Sequence, residues 1–298
     1  MRLKVTIVAI LIAVFVAISI ACVTDALKTE EAEILPIPVY DIKVMTFNVR
    51  TFNLGGDNPN DNLVLRAPLM LKVIETEDPD IIGVQEWLNF HEFEMNEVLL
   101  ETYGYVGVGR LDGGTIGEMT AVFYRKDRFE LVSTDTFWLS QTPEKPSIGW
   151  DANIPRICTT LILKDLDSGK TISMSNTHLD HQGPLARENG TKMVVEKACS
   201  TDYPAILMGD FNYDTSHPNY VYCIENLDDV RLQAEGAVTM NSYNGWNKNK
   251  LEPKGLPIDH IFVSKGDFYV KNYKVCNYLL DGLFPSDHFP VIATIEVK

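Results

Sequence analysis

The chain has 298 residues, 45% of them hydrophobic, enough for one large core or two smaller ones. A formal net charge of -15 repels polyanions and argues against tight non-specific nucleic-acid binding, although a bound divalent cation would relieve this at one site. No repeat or low-complexity tract is visible, which excludes solenoids and disordered scaffolds.

The chain begins with Arg2 and Lys4, followed by a charge-free apolar run over 5–24. That run exceeds a usual secretory core and is long enough to span a bilayer. Ser19-Ile20-Ala21-Cys22 resembles a bacterial lipoprotein cleavage box. Residues 1–22 therefore read as a lipoprotein signal, an uncleaved anchor or a cleaved secretory signal. In all three cases the basic flank places the body outside the cytoplasm. Residues 23–40 are acidic, contain Pro36 and Pro38, and read as a linker to a domain over 41–298.

Within that domain, 41–49 alternates apolar and polar residues like a half-buried strand. Helical spacing follows over 64–76, then a buried strand over 80–86. A helix over 90–104 is closed by Gly104. Residues 119–125 and 128–140 read as strands. Residues 157–180 read as a hairpin turned by Asp167-Ser168-Gly169-Lys170. A helix over 184–199 precedes a strand over 205–210, and strands return over 258–264, 268–275 and 289–297. There are too few helices to cover one wide sheet on both sides, so two sheets must pack face to face. Cys158, Cys199, Cys223 and Cys276 are expected as small buried hydrophobes, although an exported chain permits disulfides.

Polar residues recur where strands end: Asn48, Glu86, His178 with Asp180, Asp210 with Asn212, Asp259, and Asp287 with His288. Taken singly each is weak, since a Gln-Glu after an apolar run is ordinarily a polar strand end. "GDFN" at 209–212 is rarer. Gly209 permits close backbone approach to a ligand, Phe211 points into the core, and alternation along an extended chain puts Asp210 and Asn212 on one face. The set holds carboxylates, amides and imidazoles but almost no thiols, which suits Mg²⁺ or Mn²⁺ rather than zinc.

The stretches "MTFNVR", "GVQEW", "GEMTAVFYR", "SNTHLDH", "GDFN", "IDHIFVS" and "PSDHFPV" span 45–291. In this order they resemble the endonuclease/exonuclease/phosphatase superfamily, which has the fold of pancreatic deoxyribonuclease. The stretch 137–159 is similar to a loop in a bacterial branch of metal-dependent hydrolases. The resemblance implies an α/β four-layer sandwich: two face-to-face mixed β-sheets flanked by helices. It implies a Mg²⁺ or Mn²⁺ ion held by Glu86, with Asn48 and Asp287 beside it. Asp210 would orient or deprotonate the attacking water, and Asn212 would hold the phosphate. His288, oriented by Asp259, would face that phosphate. His178 would lean on Glu118, which would raise the histidine's pKa.

The implied activity is extracytoplasmic, metal-dependent phosphoester hydrolysis by a monomer tethered to a membrane through its N-terminal segment. Candidate substrates are a phospholipid headgroup, a phosphorylated glycan or nucleic acid. The alternatives are a secreted nuclease or an inactive surface-binding protein on the same scaffold. His260 and "NSYNGW" (241–246) depart from the family pattern. His91, His181 and His217 have no motif role. Trp150 reads as a substrate-facing aromatic or as loop packing, and Arg156 as a phosphate ligand or a surface ion pair.

Overall fold

The computed structural model describes residues 40–51, 62–89, 95 and 97–298, and Tyr40–Lys298 forms one compact unit. The expected leader and linker, and His91, lie outside the described residues. The described residues hold twelve strands: β1 (Ile42–Asn48), β2 (Ile81–Gln85), β3 (Tyr103–Val106), β4 (Val122–Arg125), β5 (Phe129–Trp138), β6 (Ile157–Asp165), β7 (Thr171–His178), β8 (Ala205–Asp210), β9 (Leu227–Asp229), β10 (Asp259–Ser264), β11 (Phe268–Val275) and β12 (Val291–Val297). The helices are α1 (Leu63–Glu77), α2 (Glu97–Thr102), α3 (Pro184–Cys199), α4 (Pro218–Asn226) and α5 (Val230–Gln233).

The strands form two six-stranded mixed sheets. The first runs β11-β12-β1-β2-β4-β3 and the second β5-β6-β7-β8-β10-β9. Each contains one parallel pair, β1 with β2 and β7 with β8. Side chains alternate across each strand, so every central strand feeds two cores. Val44, Ile81, Met174, Ile206, Met208 and Ile261 pack between the sheets. Met45, Phe47, Ile82 and Val84 face outward beneath Met70, Val73 and Ile74 of α1. Leu207 and Phe262 pack under α3 and α4 with Val194, Val195 and Tyr220. These are the helix–sheet–sheet–helix layers expected from the sequence.

The face between the sheets changes character along its length. Continuing the period of two past Val44, Ile81, Met174 and Met208 leads to Thr46 and Asn48, Gly83 and Gln85, Asn176 and His178, and Asp210. The interior is therefore apolar at one end and polar at the other. Asn176 binds the sheets together where the two regimes meet. Its Nδ2 donates to the carbonyls of Val84 and Ala121, at 2.9 and 2.8 Å, while its Oδ1 accepts from Gln85 Nε2 at 2.7 Å. Gly83 allows this approach, since a Cβ there would lie 2.7 Å from Met208 Cε and 2.8 Å from Asn176 Cγ.

Several expectations need correction. Of the helix expected over 90–104, residues 90–94 and 96 lie outside the described residues and Glu97–Thr102 forms α2, whereas Tyr103 and Gly104 pair with β4 instead. The strand expected from 119 begins at Val122, and Met119 makes an isolated bridge to Trp87. Among the described residues the cysteines are free. Cys158, Cys223 and Cys276 are buried as expected, but Cys199 is exposed at the end of α3. No helix among the described residues is long and apolar enough to cross a membrane.

Replacing Asn176 by alanine would remove three buried hydrogen bonds that cross between the sheets. Asn176→Ala is expected to cost roughly 2–4 kcal/mol in denaturant unfolding, at about 1 kcal/mol for each lost hydrogen bond plus the loss of packing. A loss below about 0.5 kcal/mol, the scale of an ordinary surface change, would contradict this view of the inter-sheet joint.

Candidate active site

The polar ends of the central strands converge in one pocket. In the second sheet, register places His178 beside Asp210 and Asp210 beside Asp259. In the first, Asn48 lies beside Gln85, and Glu86 follows it. Asn48 is fully buried, and its Nδ2 donates to Glu86 Oε1 and to Asp210 Oδ2, each at 3.0 Å. One amide thus ties a carboxylate from each sheet. Its Oδ1 accepts from Arg50 N at 2.9 Å, and its carbonyl accepts from Ser286 Oγ at 2.7 Å.

Three non-glycine residues at the site have left-handed backbones: Arg50 (φ 58°), Glu86 (φ 59°) and Asn212 (φ 53°). Each follows a strand end. The conformation costs on the order of 1–3 kcal/mol per residue and is held by the surrounding contacts. Glu86 Oε2 accepts from Thr51 N at 2.8 Å. Buried Arg66 donates to the carbonyls of Val49 and Arg50, fixing the turn after β1.

The turn at Asn212 corrects the extended-chain account of "GDFN". Asn212 turns back so that its N–H donates to Asp210 Oδ1 at 2.9 Å, and its Nδ2 donates to Leu179 O at 3.0 Å. Gly209 also has another purpose than approach to a ligand. Its φ is 150°, and a Cβ would fall 2.0 Å from Thr177 O, so the glycine serves the packing of β8 on β7. Phe211 is fully buried, as expected.

His288 and Asp259 pair as expected, with Nδ1 2.9 Å from Asp259 Oδ2, while Nε2 lies 3.8 Å from Asp210 Oδ2. Burial opposes the imidazolium, but the Asp259 and Asp210 charges outweigh it and raise His288 to about 10. Burial, followed by the like charge of Asp259, raises Asp210 to about 7. Ser242 explains part of the unusual "NSYNGW" stretch, since its Oγ accepts from the N–H groups of Ile258 and Asp259 at 2.9 and 3.0 Å. Tyr243 packs its ring 5.0 Å from that of His288.

His178 and Glu118 do not make the expected pair. His178 Nε2 lies 3.4 Å from Asp210 Oδ2, whereas Glu118 is gripped by Arg110 through bonds of 2.8 and 2.9 Å. The expected rise in the His178 pKa is reversed. Burial, then the nearby Arg156, Arg110 and His288 charges, pushes it well below its usual value. Burial likewise raises Glu118 against the pull of Arg110. Arg156 is buried rather than a surface residue: its Nε lies 3.3 Å from Asp180 Oδ2, and its Nη2 2.8 Å from His181 Nδ1.

The pocket holds about 340 Å³ and is lined by Arg50, Glu86, Arg110, Glu118, Arg156, His178, His181, Asp210, Asn212, Tyr243, Asp287 and His288, among others. Asp287 faces Arg50 at 3.8 Å, and burial raises its carboxyl. Trp150 does not line the pocket, His217 caps α4 with its Nδ1, and buried His260 lies 3.0 Å from Tyr213 O. Arg50 closes the "MTFNVR" stretch, whereas Arg110 and Tyr243 lie outside the matching stretches, because they come from loops whose approach to the strand ends is tertiary.

The donor set suits a hard divalent cation. Glu86 and Asp287 offer carboxylate oxygens at one wall, and Asn48 steadies Glu86 from behind with its amide N–H. Ligand atoms of Asp210, Asp259 and His288 also lie within 4.8 Å of one another, and Asp259 Oδ1 is buried with no hydrogen bond among the described residues. There, however, the imidazole is committed to Asp259, and its positive charge disfavours a cation.

The sequence pattern of the Endonuclease/Exonuclease/phosphatase family matches residues 45–288. The chain is similar to an endonuclease/exonuclease/phosphatase family protein from Bacteroides thetaiotaomicron, with 36% identity and a TM-score of 0.81 over 87% of this chain and 98% of that one. It is also similar to a mannosyl-6-phosphatase from the same organism, with 36% identity and a TM-score of 0.78 over 86% of this chain and 99% of that one. An uncharacterized protein of Acanthamoeba polyphaga mimivirus is 29% identical over 249 residues, 78% of this chain and 91% of the other. With two facing mixed sheets and a polar pocket at their shared end, the chain belongs to the endonuclease/exonuclease/phosphatase family.

Proposed function

We propose that this protein is a divalent-metal-dependent phosphoester hydrolase that acts outside the cytoplasm on a small polar phosphate monoester, a phosphorylated sugar or glycan foremost. The observation that carries this reading is the pairing of Asp210 with His288 in one pocket, a carboxylate of near-neutral basicity beside an imidazolium. A general base works best when its pKa lies near the working pH, and a fixed cation stabilises phosphoryl oxygens.

Asp210 takes the proton of the attacking water, and Asn48 holds its carboxylate in place. His288 directs its Nε2 proton toward the phosphoryl group while Asp259 keeps the ring charged and oriented. Asn212, pinned to Leu179 O, and neutral His178 present their polar atoms to the phosphate from the same sheet edge. Glu86, with Asn48 and Asp287 beside it, would hold the ion. When bound, Mg²⁺ or Mn²⁺ supplies charge stabilisation to the phosphoryl and leaving oxygens.

The pocket volume of about 340 Å³ is at the low end for small-molecule sites and supports a compact substrate. The similarity to a mannosyl-6-phosphatase supports a sugar phosphate. Nucleic acid is disfavoured by the net charge of -15, and a lipid tail by the polar walls. The basic-then-apolar segment over 1–24 supports export, with Cys22 as the lipid attachment point.

Purified protein is expected to hydrolyse p-nitrophenyl phosphate with Mg²⁺ or Mn²⁺, to lose activity in EDTA and to regain it on metal addition. Asp210→Asn and His288→Ala should each lower kcat roughly 10²–10³-fold, the scale of a lost electrostatic catalytic group. Full activity in EDTA, or either variant near wild type, would refute these assignments.

The pH dependence follows from the sign of the His288 shift. Asp259 raises that pKa, so Asp259→Asn should let the imidazole lose its proton at lower pH. The basic limb of kcat/KM against pH should move down by about one unit or more, the size of a close-charge effect. A basic limb that stays in place would show that His288 does not act as an imidazolium.

Export is tested by fractionating a bacterial host that expresses the full chain. The protein is expected in the membrane fraction and open to external protease, and Cys22→Ala should release it or leave its precursor uncleaved. Recovery of the wild type from the cytosol would overturn the location.

A further inference from the structure

The pocket has two distinct ends, and strand order fixes which residues share each. In the second sheet the order β6-β7-β8-β10 places Arg156, just before β6, two strands from Asp210 at the end of β8. At the usual strand spacing that separation is about 10 Å. In the first sheet the order β12-β1-β2-β4 places His288 near one edge of the site and Glu118, just before β4, near the other. Asp210, Asn48 and His288 therefore form a reacting end. Arg110, Glu118, Arg156 and His181 form a far end of the same pocket.

The far end is rich in hydrogen-bonding groups but balanced in charge. The Arg110 guanidinium is forked onto Glu118, and Arg156 is held by Asp180. Two cations meet two carboxylates, so this wall has little net pull on a second phosphate. It still has unspent donors: Arg156 Nη1 and Arg110 Nε are buried and lack a hydrogen-bond partner among the described residues. The Arg156 residue is 5% exposed. Glu118 retains lone pairs beyond those that Arg110 uses. A recess of about 10 Å³, the size of one hydroxyl or water, lies among Arg110, Glu118, Arg156 and His178 and borders Glu86, where the far end meets the cation wall. Alternating fixed donors and acceptors of zero net charge match vicinal hydroxyl groups better than an alkyl chain or another anion.

We propose that Arg110, Glu118, Arg156 and His181 form the subsite that reads the hydroxyl groups of the departing alcohol, so that they set specificity for phosphate esters of polyhydroxylated alcohols. This rests on the reading of the reacting end as a phosphomonoesterase. The attacking water forms the new P–O bond and gives its proton to Asp210, the bond from phosphorus to the ester oxygen breaks, and that oxygen takes a proton from solvent; the released polyol stays hydrogen-bonded to this wall and inorganic phosphate to the other end.

The test compares a hexose 6-phosphate with p-nitrophenyl phosphate, which has no hydroxyl to read, at saturating Mg²⁺ or Mn²⁺. Arg156→Lys and Arg110→Lys keep the charge beside each carboxylate but lose the planar fork, and their thermal unfolding is compared with wild type to confirm folding. Each variant should lower the ratio of kcat/KM for hexose 6-phosphate to that for p-nitrophenyl phosphate by about ten- to a hundredfold, the scale of one or two hydrogen bonds to charged groups. The loss should fall mainly on KM for the sugar ester. An unchanged ratio in both folded variants would overturn the subsite while leaving the phosphatase reading intact. A wild type that hydrolyses neither ester with either metal would overturn the phosphatase reading, and the subsite with it.

Discussion

The site depends on one side-chain amide. Asn48 donates one hydrogen to Glu86 and the other to Asp210, and so spans the seam between the two sheets. A buried carboxylate and a half-buried one facing the same amide would otherwise repel across the seam. An amide cannot ionise, and it offers two donors at a fixed angle. It fixes where the two carboxylate groups sit. The pocket beyond it therefore has one wall suited to a cation and another suited to proton transfer.

That joint imposes a constraint on strand register. Asn48 reaches its partners only if β1 and β8 keep the parity that places Val44, Ile206 and Met208 between the sheets. A slip of one residue in either strand would turn the whole set to the outer face. Asn176 and Gln85 reinforce this parity one layer deeper, through bonds that cross the sandwich. The apolar end of the interior supplies most of the burial energy, while the polar end fixes the register. The left-handed turns at Arg50, Glu86 and Asn212 spend part of that stability to point side chains back across the strand ends.

Much of this was legible in the sequence because it depends on local periodicity. The helix over 184–199 and the strands over 205–210 and 268–275 are found within the expected bounds. Pro184 at the first helical turn and a strand ending at Asp210 are strong local signals. Asp210, Asp259 and His288 meet as expected because each ends or flanks a central strand. The Glu118–His178 pairing expected from the sequence does not form, because Arg110 arrives from a loop eight positions earlier and takes the carboxylate. Nothing in the spacing of 110 and 118 announces that fork. Asn212 and Gly209 serve other ends than an extended-chain reading of "GDFN" suggests, since backbone φ and the packing of β7 on β8 are set by neighbours distant in sequence. The sequence alone does not separate the two roles open to Arg156, because its partners Asp180 and His181 lie on the connection after β7.

The central claim is that the Asn48 joint divides the pocket into a cation wall at Glu86 and a phosphate wall at Asp210, Asn212 and His288. A crystal structure with Mn²⁺ and orthovanadate, with anomalous scattering used to place the metal, tests this most directly. The account predicts Mn²⁺ bound to a Glu86 carboxylate oxygen, and vanadate oxygens within hydrogen-bonding reach of Asn212 and of His288 Nε2. Manganese bound instead among Asp210, Asp259 and His288, with the His288–Asp259 contact broken, would contradict it.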